Sequence, residues 1–146
     1  MAWTNRGKTR MFEMFFEASG YPGPQGDFAL AACTSAATPS ADTFAFSSLT
    51  QVAASGGYSA MPVERGGATS GFLITEGDEF ALATLTGNYV LTANASESIA
   101  NIKYFVLTDK NSTEANREVF AYWDVTNPLT ISDGATLTIS ATLQGT

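Results

Sequence analysis

The sequence predicts an all-β protein: an antiparallel β-sandwich, jelly-roll or immunoglobulin-like, with one short N-terminal helix or arm. Three observations predict it. Apolar and small polar residues alternate through the second half, most strictly in residues 136–143. There Leu137, Ile139, Ala141 and Leu143 alternate with Thr136, Thr138, Ser140 and Thr142, the period-two pattern of a strand with one buried face. Turn-forming Gly, Asn, Asp and Pro separate roughly seven to nine such runs, with no helical pattern between them. The chain of 146 residues is also long enough for one domain with a real core.

In chain order, residues 5–18 read as the one helix. Met11, Phe12, Phe15 and Phe16 form an apolar stripe of helical period. Thr4 is placed to cap its start, and Gly20 with Pro22 ends it. Arg6, Lys8 and Arg10 oppose the helix dipole, so the first turns are open to an extended alternative. Residues 1–20 are therefore the arm or helix and 21–146 the sandwich, within a single domain overall. A dense turn signal leads into the apolar run 28–34, followed by weaker strand candidates at 43–46 and 49–53. Gly56-Gly57 turns the chain into 58–63, and Gly66, Gly67 and Gly71 mark an exposed connection.

The later strands are plainer. Residues 80–86 alternate Phe80, Leu82 and Thr84 against Ala81, Ala83 and Leu85, and Gly87-Asn88 turns them into 89–93. Residues 102–108 put Ile102, Tyr104 and Val106 on one face, Phe105 and Leu107 on the other. Residues 118–125 group Val119, Ala121, Trp123 and Val125 against Phe120 and Tyr122. Ser132-Asp133-Gly134 then separates 129–131 from the last strand.

Composition limits the chemistry. The absence of histidine excludes Ser-His-Asp and Cys-His nucleophile systems and imidazole-bound metals. Cys33 is the single cysteine, which leaves no disulfide within the chain; its apolar surroundings predict a small buried thiol. Charged residues make up only 14%, against roughly 25% in ordinary soluble domains. Ala, Gly, Ser and Thr supply close to half the chain. The net charge is −7, unevenly placed: Arg6, Lys8 and Arg10 precede every acid, and four bases face fourteen acids thereafter. Such a body repels nucleic acid, whereas the short basic arm suits an acidic protein surface. No run approaches the roughly 18 apolar residues of a membrane helix, and Glu13 and Glu17 interrupt any signal-peptide core, so neither membrane nor export is expected.

Few residues are candidates for chemistry. The glycines at 66, 67 and 71 have neither the lysine nor the following helix of a phosphate loop. Glu76, Asp78 and Glu79, or Asp109, Asn111 and Glu114, offer oxygen ligands for a hard cation. Glu114 stands where a calcium loop needs glycine, and solvated turns are the ordinary reading of both groups. No catalytic, cofactor-binding or metal-ligating residue is assigned, and hydrolysis by Glu76, Asp78 or Glu79 is the weakest function class. Tyr104, Phe105, Phe120, Tyr122 and Trp123 crowd two neighbouring strands. Core or subunit packing is their first reading, and stacking of a sugar on Tyr122 or Trp123 the second.

The order of segments carries a resemblance. Trp3-Thr-Asn-Arg-Gly-Lys is followed by Phe28-Ala-Leu-Ala-Ala-Cys-Thr and by Leu49-Thr-Gln-Val-Ala with Gly56-Gly-Tyr. Then come Tyr104-Phe-Val-Leu-Thr-Asp-Lys-Asn, Asn116-Arg-Glu-Val-Phe-Ala-Tyr-Trp-Asp and Thr130-Ile-Ser-Asp-Gly-Ala-Thr-Leu-Thr-Ile. This resembles a family of small virion structural proteins of tailed bacteriophages, especially those of aquatic hosts. It covers most of the chain and is most specific over residues 104–138. The resemblance implies a virion part without a reaction, first of all a capsid decoration (cement) subunit. Such subunits are commonly homotrimers of β-sandwiches on the outer capsid surface, clamping neighbouring capsomers. The implied partners are the major capsid protein and further copies of the chain, in particles assembled in the host cytoplasm. A tail, neck or fibre-associated subunit that binds host glycans is the alternative. On this expectation Trp3, Arg6, Lys8 and Arg10 form a docking arm, and Tyr122 and Trp123 are further interface candidates.

Overall fold

The computed structural model describes residues 27–64, 71–76, 81–110, 113 and 116–145, together with Phe12, Phe15 and Phe16. Nine strands run through them: β1 (Phe28–Cys33), β2 (Met61–Val63), β3 (Phe72–Glu76), β4 (Ala81–Leu85), β5 (Tyr89–Thr92), β6 (Ser98–Asp109), β7 (Val119–Ser132), β8 (Thr136–Ile139) and β9 (Thr142–Gly145). Every pairing is antiparallel. One layer is a four-stranded sheet in the order β2-β1-β6-β7; the other combines β3-β4-β9 with the pair β5-β8. Phe28, Leu30, Ile102 and Leu107 of the first layer meet Ala83, Leu85, Leu91 and Ile139 of the second in the main core. The fold is the antiparallel all-β sandwich that the alternation predicts.

The second layer is built on one long antiparallel ladder, residues 81–92 against 136–145, that bends at a corner, with β3 alongside β4. Leu85 N–H reaches Ala141 O at 2.9 Å, continuing the β4–β9 ladder, and β5 then starts with Tyr89 opposite Ile139. Between those points residues 86–88 stand against Ser140 alone, and the surplus bends the strand. Gly87 permits the bend, because a Cβ there would lie 2.8 Å from the Tyr89 ring. The single strand expected over 136–143 is therefore two. Its alternation survives the corner: Leu137, Ile139, Ala141 and Leu143 all join the core.

Two predicted groupings fail, each at an irregularity. Leu107 pairs with Ala121 and Thr108 with Val119, which leaves Phe120 as the extra residue of a bulge. Phe120 thereby joins Ala121 and Trp123 on the core side, while Val119 turns to the outer face. Tyr122, opposite Val106, shares that outer face. On β6 a register shift between Ile102 and Tyr104 sends Ile102 to the main core and Tyr104 to the outer cluster. Parity counting assumes an unbroken ladder, and one surplus residue reverses every assignment beyond it.

Other elements differ in kind. Residues 43–46 and 49–53 supply only the bridges Ala45↔Glu118 and Gln51↔Cys33, around a 3-10 turn at Phe46–Ser48. Residues 118–125 and 129–131 belong to one strand, β7. β3, a strand without a signal in the sequence, follows directly on Gly71; five residues with an exposed Leu73 show too little periodicity to betray it. Phe12, Phe15 and Phe16 are helical, and Phe16 packs on Phe28 and Phe72 while Phe15 packs on Phe120. The rest of the arm or helix expected over 1–20 lies outside the described residues.

Candidate interaction surface

The outer face of the four-stranded sheet carries a second, smaller core. Ala31 and Cys33 of β1, Tyr104 and Val106 of β6, and Phe46 cluster there, with Leu49, Ala60 and Val119 packed against them. Cys33 is fully buried in this cluster, as its apolar neighbourhood predicts. The segment that supplies the cover is fastened to β7 through Phe46 N–H to Arg117 O and Val119 N–H to Phe44 O, both 2.9 Å.

Further along β7 the cover stops. Tyr122 is 40% exposed there, and its ring stands nearly perpendicular to that of Tyr104, with centroids 6.4 Å apart. A groove of about 260 Å³ runs between residues 119–122 and a facing wall of Ser40, Ala41 and Thr43. That wall is a tight turn: Ser40 N–H donates to Thr43 Oγ1 at 2.9 Å, and Thr43 N–H to Ser40 O at 3.0 Å. Next on the open face, Asp124 lies opposite Tyr104 in register and accepts a hydrogen bond from Lys103 Nζ at 2.5 Å. Lys103 also donates to Thr126 O at 3.0 Å. Phe44, beside Thr43 in the chain, is 77% exposed.

The two aromatic candidates part company. Trp123 faces the other way from Tyr122, packs half-buried against the main core, and its Nε1–H donates to Thr142 O at 3.2 Å. It ties β7 to β9 across the layers, and Tyr122 alone of the two lies on the open face. Trp3, Arg6, Lys8 and Arg10 lie outside the described residues, as do Asp78, Glu79, Asn111 and Glu114. Glu76 ends β3 on the surface. Asp109 is buried, and its Oδ1 accepts the Glu118 N–H at 2.8 Å. Among the described residues no three His, Cys, Asp or Glu side chains converge as a metal site, and no helix is long and apolar enough to cross a membrane.

Two surface features escape sequence reasoning. Phe44 sits in an irregular segment with no period to reveal its side. Leu73 is 54% exposed on β3, while its neighbour Phe72 is in the core. A third feature follows from topology. β7 ends its sheet, and beyond the contact at Val119 its outer edge pairs with no strand among the described residues. Pro128 stands in this edge strand, where its missing N–H is tolerated.

Comparison of the chain with known protein families, with characterised proteins and with solved structures gave no match.

Proposed function

We propose that this chain is a structural subunit of a bacteriophage particle, a decoration or cement protein that sits on the outer capsid and strengthens the junctions between neighbouring capsomers. One observation carries the reading most: large apolar side chains stand exposed on two opposite faces of the sandwich. Phe44 and Tyr122 lie outside the four-stranded sheet, and Leu73 lies on the other layer. A subunit held between neighbours needs contact area on more than one side, and exposed apolar residues with a sparsely charged surround supply it. Beyond Val119 the edge of β7, which pairs with no strand among the described residues, offers a further attachment line. The resemblance of segments 104–138 to phage virion proteins supports the same reading.

The partners in this reading are the major capsid protein and further copies of the chain, in a homotrimer; nucleic acid, membrane and cofactors have no part. Many copies on a symmetric shell add up modest individual contacts. The basic segment with Trp3, Arg6, Lys8 and Arg10 docks on the capsid or on an adjacent copy. Mass spectrometry of separated heads and tails, with localisation on intact particles, tests the proposal. The protein is expected in high copy on heads. Confinement to tails moves it to the tail, neck or fibre class, and absence from particles overturns the reading. Light scattering of the purified chain tests the trimer, and deletion of residues 1–10 with unchanged capsid binding removes the arm.

A further inference from the structure

We infer that the groove between Tyr122 and the turn of residues 40–43 binds a neutral saccharide. The inference is independent of where the protein sits on a particle, because it rests on the chemistry of the groove alone.

A pyranose has an apolar C–H face and a rim of hydroxyls that both donate and accept. Binding it takes an aromatic ring held in place, with neutral hydrogen-bonding groups around it. Tyr122 is such a ring. It is 40% exposed yet braced edge-on by Tyr104, so little side-chain freedom is lost when a ligand stacks on it. The opposite wall presents the hydroxyls of Ser40 and Thr43 on a turn already fixed by its own hydrogen bonds. Each hydroxyl accepts a backbone N–H and the two bond to each other at 3.4 Å, which leaves the pair one proton to donate and one lone pair for a ligand.

Beyond Tyr122 on the same face lies the Lys103–Asp124 pair, a carboxylate and an ammonium set side by side. Neighbouring sugar hydroxyls are matched by such a donor and acceptor. The pair carries no net charge, so a phosphorylated or carboxylated ligand gains nothing there. The volume of about 260 Å³ lies just below the usual range of ligand sites and suits a single sugar ring. Affinity for a single sugar is therefore millimolar, and useful strength comes from many copies on one surface.

The experiment is a saturation-transfer and ¹H–¹⁵N shift titration of the intact protein with glucose, galactose, mannose and N-acetylglucosamine, then with oligomers of whichever binds. Supporting results are saturation transfer to the C–H face of at least one of these sugars and shifts clustered at Tyr122 and Thr43. Tyr122→Ala should then weaken binding about tenfold or more, and Tyr122→Trp should retain it. Tyr122→Leu, which keeps apolar bulk at the position without an aromatic ring, gives a second measure should Tyr122→Ala disturb folding. Binding of none of these sugars at tens of millimolar overturns the inference. So does unchanged binding by the folded Tyr122→Ala protein. Shifts at Tyr122 that depend on protein concentration alone assign the groove to a second copy instead.

Discussion

The Tyr58 hydroxyl stands in for a missing strand beside Ala32. It accepts the Ala32 N–H at 2.8 Å, and its own proton is directed at Gln51 Oε1, 3.0 Å away. β2 pairs only with the first half of β1, through Phe28, Ala29 and Leu30. Beyond that point the edge of β1 is completed piecemeal, by Tyr58 and by the backbone pairs Val52 N–H to Ala32 O and Thr34 N–H to Thr50 O. The cover over the outer face is thereby tied to the sheet it covers.

Tyr58→Phe keeps the buried ring and removes that acceptor. A buried N–H left without a partner costs about 1–3 kcal/mol. Urea unfolding should show a loss in that range with an unchanged slope. A loss below about 0.5 kcal/mol means that another group takes the Ala32 N–H over.

Gly56 and Gly134 both hold positive φ, at 76° and 72°, yet they differ in surroundings. A Cβ on Gly56 would lie 2.2 Å from Ser98 O, whereas nothing lies within 4 Å of one on Gly134. Gly134→Ala should cost only the left-handed backbone, about 1–2 kcal/mol. Gly56→Ala must also push the start of β6 aside and should exceed about 3 kcal/mol. Thermal melts of the two variants compare them directly, and equal losses contradict the close approach at Ser98.

The ease of reading this chain varied with how regular its ladders are. Residues 136–143 announced their buried face even across a corner, because alternation needs no knowledge of the partner strand. The apolar run 28–34 announced β1 for a similar reason: its residues are buried on both faces, under the main core and under the outer cluster. β7 could not be read as well. Its bulge at Phe120 depends on how β6 aligns with it, which is a long-range property, and that bulge decides that Tyr122 rather than Phe120 reaches the open face. The groove was hidden for the same reason, since Ser40 and Thr43 lie some eighty positions from Tyr122 and nothing local announces the meeting.

Lys103 should matter more than its ionic partner. Its side chain is 16% exposed against 52% for Asp124. It also holds Thr126 O, in the stretch where β7 runs past Lys103 without regular pairing. Asp124→Asn leaves an acceptor in place and should cost no more than about 0.5 kcal/mol, in the range of an exposed pair. Lys103→Met loses both bonds and should cost roughly 1–2 kcal/mol. Denaturant unfolding of the two single variants and the double variant checks the order. A larger loss from Asp124→Asn reverses the assignment.

Tyr89 should make alkaline stability fall in a defined window. It is buried on β5. Burial, followed by the charge of Glu64, raises its phenol from 10.0 to about 12. The native state therefore holds this proton more tightly than the unfolded chain does. Below pH 10 both states are protonated and its contribution to stability is fully present. Between pH 10 and about 12 the unfolded chain gives up the proton while the native chain keeps it, so stability declines. Above that window both states are ionised and the loss stops growing. Tyr89→Phe has no such proton and should flatten this part of the urea-midpoint profile, whatever its effect at neutral pH. Parallel declines for the wild type and Tyr89→Phe from pH 10 upward place the alkaline loss elsewhere in the chain.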